Sequence, residues 1–88
     1  MQRQHLEQVL RQRFSDLDIR SDQCDMIRII TPSITVGCTI VGGRCQAKVI
    51  SLEPIKGDFD WKTRLLAVLD EDSPETLAYA LEIYLRAT

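Results

Sequence analysis

Two runs of alternating residues, 34–41 and 44–52, joined by Gly42-Gly43, constrain this chain more than any other stretch. Consecutive glycines can both take the positive φ of a type I′ turn, whose twist matches that of the strands it joins. A two-residue turn there sets Val41 opposite Arg44. Ile40 then faces Cys45, Cys38 faces Ala47 and Val36 faces Val49. Because side chains alternate, these pairs share one apolar face. A slip of one residue would carry Gln46 and Lys48 into the core, so the register is strongly specified.

A third strand, about Asp25 to Thr31, precedes them, rich in isoleucine. A turn at Pro32-Ser33 places Ile29 beside Val36 and Ile27 beside Cys38, extending the apolar face. Pro32 suits the first central position of a type I or II turn, so this connection can also be longer or bulged. The opposite face of the meander carries Met26, Arg28 and Ile30, then Thr35, Gly37 and Thr39, then Gln46, Lys48, Ile50 and Leu52. Met26, Ile30, Ile50 and Leu52 make this outer face more apolar than an isolated domain favours.

The flanks read as helices. From Gln2 to Phe14, Leu6, Val9, Leu10 and Phe14 recur at three- and four-residue intervals opposite Gln4, Glu7, Gln8, Arg11 and Gln12. Arg13 lies near that apolar stripe, its stem packing and its head reaching water. Ser15 to Gln23 reads as a connection with a short extended piece at Leu17 to Ile19. After a loop at Glu53 to Gly57, Asp58 or Asp60 can cap a helix beginning near Trp61, with Trp61, Leu65, Val68 and Leu69 on one face and Asp70-Glu71-Asp72 at its end. Ser73-Pro74-Glu75 opens a last helix with a cap, a first-turn proline and an acid favourable to the helix dipole. Leu77, Ala80, Leu81 and Tyr84 form its main apolar face, and Tyr79 and Ile83 a second pair on the other side. The expected fold is therefore a single α+β domain over residues 1–88, with an N-terminal helix, a three-stranded antiparallel meander and two C-terminal helices.

Composition narrows the function. Eleven Lys and Arg against 13 Asp and Glu leave a net charge of −2, without the positive field that draws proteins to phosphate backbones. The sequence has neither a signal-like N-terminal apolar run nor about 18 consecutive apolar residues, so the expectation is a cytoplasmic protein with no membrane segment. Cys24, Cys38 and Cys45 form no CxxC and fit reduced thiols; Cys38 and Cys45 fall on the inner face as core residues. His5 is the only histidine, near the start of a terminal helix, and reads as a solvated residue rather than a catalytic base. Asp70, Glu71, Asp72 and Glu75 lack the spacing and glycine of a calcium loop. Gly42-Gly43 has strands on both sides, so it reads as a turn rather than a phosphate cradle.

The expected order helix, three-strand meander, helix resembles the double-stranded RNA-binding domain in topology alone. Such a binder carries a lysine cluster at the start of the following helix. Here Lys62 and Arg64 alternate with Asp58, Asp60 and Trp61. The expectation is a non-catalytic protein-interaction module with no cofactor, metal or small-molecule ligand. It would bind a protein partner or form a homodimer through Met26, Arg28, Ile30, Lys48, Ile50 and Leu52 of the outer face and Tyr79 and Ile83 of the last helix. The competing arrangement is a monomer whose last helix covers that face. A nucleic-acid module using Arg28, Lys48, Arg3, Arg11 and Arg13 is the alternative, and a small enzyme comes third.

Overall fold

A computed structural model describes residues 3–21, 26–54 and 61–87. In chain order these form α1 (Arg3–Arg13), β1 (Asp18–Ser21), β2 (Ile27–Ile30), β3 (Ile34–Val41), β4 (Arg44–Pro54), β5 (Trp61–Glu71) and α2 (Pro74–Ala87). The strands make one antiparallel sheet in the order β1-β2-β3-β4-β5.

The central hairpin takes the register that its glycines dictate. Gly42 and Gly43 have φ of 58° and 77°, and Val41 pairs Arg44, Ile40 Cys45, Cys38 Ala47 and Val36 Val49. Ile29 pairs Val36 and Ile27 pairs Cys38. Pro32-Ser33 is a two-residue connection closed partly by a side chain. Thr31 donates its backbone N–H to the Ile34 carbonyl at 3.0 Å, while its hydroxyl accepts the Ile34 N–H at 3.1 Å.

The expected three-stranded meander with two C-terminal helices is overturned. The described residues form five strands and a single C-terminal helix. The short extended piece expected at Leu17 to Ile19 becomes β1, an edge strand paired with β2. Glu53 and Pro54, expected in a loop, continue β4. The larger error concerns β5, read as a helix because Trp61, Leu65 and Val68 recur at helical spacing.

A β-bulge produces the same spacing. Val49 pairs Ala67 and Ile50 pairs Leu65, leaving Leu66 as an extra residue. One inserted residue shifts the alternation, so positions 65 and 68, three apart, fall on one face of the sheet. The caps proposed at Asp58 and Asp60 lie outside the described residues.

The two helices pack on the inner face. Ile19, Ile27, Ile29, Val36, Cys38, Cys45, Ala47 and Val49 of the sheet meet Leu6, Leu10 and Phe14 from the α1 region and Leu77, Ala78 and Leu81 of α2 in one core. Burying such side chains contributes about 1.5–3 kcal/mol each. α2 begins as its sequence signals. The Thr76 N–H donates to Ser73 Oγ at 3.2 Å, and the Leu77 N–H to the Ser73 carbonyl at 3.1 Å. Since α2 lies over β4 and β5 on the inner side, it does not cover the outer face. Among the described residues no helix is long and apolar enough to cross a membrane.

Candidate interaction surface on the outer sheet face

Register places the outer side chains in cross-sheet rows. One row runs Asp18, Ile30, Thr35, Ile50, Leu65; the next runs Arg20, Arg28, Gly37, Lys48, Val68; a shorter third has Thr39, Gln46 and Asp70. Arg28, Ile30, Lys48 and Ile50 thus share one surface, as their sequence spacing implied. Met26 joins them just before β2. Its thioether lies across Gly37, where an added methyl would stand 2.9 Å from the sulfur. A glycine in mid-strand here gives space for that crossing.

The apolar exposure on this face is uneven. Met26, Ile30 and Ile50 are half-buried, shielded by their neighbours, whereas Leu65, Leu66 and Val68 on β5 are 57%, 40% and 51% exposed. The exposed apolar surface therefore lies further toward β5 than the sequence suggested. Leu52 sits in register opposite Thr63, beyond the last pairing of β4 with β3, and its side chain is outside the description. Tyr79 and Ile83 are 58% and 53% exposed on α2. They do not join the outer face, because α2 belongs to the opposite layer.

Sequence reasoning missed Leu65, Leu66 and Val68 as surface residues, having spent two of them on a buried helix face. One signal was available. The five apolar residues 65–69 between Arg64 and Asp70 are as long as an average strand and shorter than most helices.

Charged groups frame the surface. Arg44 Nε donates to Asp70 Oδ1 at 2.8 Å, and Gln46 Nε2 to Asp70 Oδ2 at 3.4 Å. The hydrogen bond from Arg44 leads in holding the Asp70 carboxyl below its usual range. At the far edge Arg20 pairs Asp18 at 3.1 Å. Behind the face, burial pushes the Cys38 thiol up to about 12, with the nearby Cys45 adding to the rise; Cys45 is raised as well, mainly by burial. Neither thiol is in a disulfide, and both are packed in the core. His5 lies in the other layer, exposed, with Nε2 2.8 Å from Glu75 Oε1 beside an open groove along α1.

No protein-family model, curated protein or solved structure matches the chain. What can be said of function therefore rests on its own residues.

Proposed function

We propose that this chain is a non-catalytic protein-interaction module, working in the reducing cytoplasm, whose contact surface is the β5 side of the outer sheet face. One observation carries the reading: the outermost long strand of the sheet is also the strand that exposes Leu65, Leu66 and Val68. Sheets that remain solitary blunt their edges with charge and brevity, and a long apolar edge invites pairing. Among the described residues the shifted titratable groups fit a module without chemistry of its own. Asp70 and Arg44 owe their shifts first to each other, Glu7 owes its shift first to Ser21, Glu75 first to a backbone hydrogen bond, and the two thiols first to burial.

The test is a Leu65→Asp/Val68→Asp variant. Both positions are exposed, so folding should survive with a stability change of about 0.5 kcal/mol or less per site. Self-association by light scattering, and retention of specific proteins from extracts of the source cells, should both fall. Unchanged association and an unchanged set of retained proteins would remove this surface from consideration.

A second reading has one observation in its favour. Arg20, Arg28 and Lys48 stand in a single cross-sheet row, with Gly37 between the last two, giving the outer face a basic stripe. Nucleic acid held this way would bind with steep salt dependence. Absence of RNA or DNA retardation at low ionic strength would end that reading.

A further inference from the structure

We infer that the occupant of the β5 edge is a second copy of this chain, with the two β5 strands running antiparallel so that two five-stranded sheets become one. This rests on the interaction reading above and narrows it to a single partner. The two edges of the sheet are built differently. β1 is four residues long, with Asp18, Arg20 and Ser21 exposed. It is also tied to α1: Ser21 Oγ accepts from Arg3 Nη2 at 2.8 Å and donates to Glu7 Oε1 at 2.6 Å. β5 is eleven residues long, and among the described residues no strand pairs with its far side. One edge is closed to pairing and the other is a template for it.

Charge selects a second copy over an unrelated strand. After Trp61, β5 runs Lys62-Thr63-Arg64, continues through five apolar residues, and ends Asp70-Glu71. Turned antiparallel on itself, such a strand sets its basic start against the acidic end of the other copy, twice, about one twofold axis. Parallel self-pairing would instead put like charges side by side, which destabilises a ladder. Pairing position 62 with position 71 brings Thr63 opposite Asp70 and Leu65 opposite Val68, so the exposed apolar residues meet across the axis.

The helix layer adds to the contact. Arg13 and His5 of α1 reach Glu82 and Glu75, so that flank of α2 faces α1. α2 packs on β5 and β4, so the helix layer reaches the β5 side of the sheet. Two such helices would approach each other across the same axis. Stable dimers bury about 1,200–2,000 Å² in total, and helix flanks extend what paired strands alone can cover.

Sedimentation equilibrium of the full chain should give twice the 10.1 kDa chain mass. Lys62→Glu and Glu71→Lys should each weaken association about tenfold, since each reverses a charge at both symmetry-related ends. An equimolar mixture of the two variants should regain it, because in the mixed pair one end is native and the other is charge-swapped. In the unaltered protein, an isotope-filtered NOE between Leu65 of one copy and Val68 of the other would show the pairing without relying on any variant. A strict monomer at millimolar concentration overturns self-pairing but leaves a foreign protein on the same surface, for which Leu65→Asp/Val68→Asp retains its own readout. A dimer indifferent to both charge reversals and lacking the intercopy NOE overturns the arrangement.

Discussion

Burial decides the chemistry of the described thiols. Cys38 and Cys45 alternate onto the inner face, and the hairpin register alone places them in the core, so their burial was legible in the sequence. Cys38, at about 12 in the fold against 9.0 unperturbed, remains a thiol where the unfolded chain would already be a thiolate. The unfolded state then binds fewer protons, so stability should fall as pH rises between about 9 and about 12 and be untouched by this group below that window. Alkylation near pH 8 should spare both cysteines in the folded protein and reach them on unfolding, as mass mapping of the modified positions would show. Asp70 was less legible. Read as the solvated end of a helix, it instead lies opposite Gln46 with Arg44 at 2.8 Å, a partner that only the strand assignment brings near. Removing the guanidinium with Arg44→Ala should let the Asp70 pKa rise toward its ordinary value in a carboxyl NMR titration. Its stabilising effect is present above the unfolded pKa and is lost as pH falls through the lower folded one. Exposure of both side chains keeps that effect small.

The elements divide by how locally they are specified. The β3–β4 hairpin was readable residue by residue because two adjacent glycines pin its turn, and α2 because Ser73-Pro74 marks its start. β5 was not readable, because its bulge at Leu66 imitates helical spacing and because its strand character depends on pairing with β4, a contact no local pattern announces. The turn offers a clean measurement. Nothing lies within 4 Å of a methyl added at Gly43, where φ is +77°, so Gly43→Ala changes backbone strain without steric contact. It should cost about 1–2 kcal/mol in urea denaturation, the penalty of a left-handed conformation for a residue with a Cβ. Asn at the same position, which tolerates that region better, should cost less. Equal stability of all three would mean that the turn relaxes to another conformation.

At the scale of the whole molecule, a two-layer arrangement with an open outer face raises the question of what holds the helices in place on the sheet. Two kinds of contact are available: the apolar core between the layers, and the polar contacts between α1 and α2, His5 with Glu75 at 2.8 Å and Arg13 with Glu82 at 3.4 Å. Their magnitudes separate them. Exposed pairs are worth about 0–1 kcal/mol and are screened by salt. A fully buried leucine truncated to alanine loses about 2–5 kcal/mol through lost transfer energy and the cavity left behind. Leu10 and Leu81 are fully buried, one from each helix, in the same core. Leu10→Ala and Leu81→Ala should therefore each lower stability several-fold more than Glu75→Gln and Glu82→Gln combined. Raising the salt from low ionic strength toward 1 M should move the wild-type midpoint little, since the terms it screens are the small ones. Because association would itself add stability, these denaturation curves belong at a fixed protein concentration, with Leu65→Asp/Val68→Asp as the unassociated reference. If the charge substitutions match the leucine substitutions in that reference background, the helices are held in place chiefly by the contacts between them and the core has been overvalued.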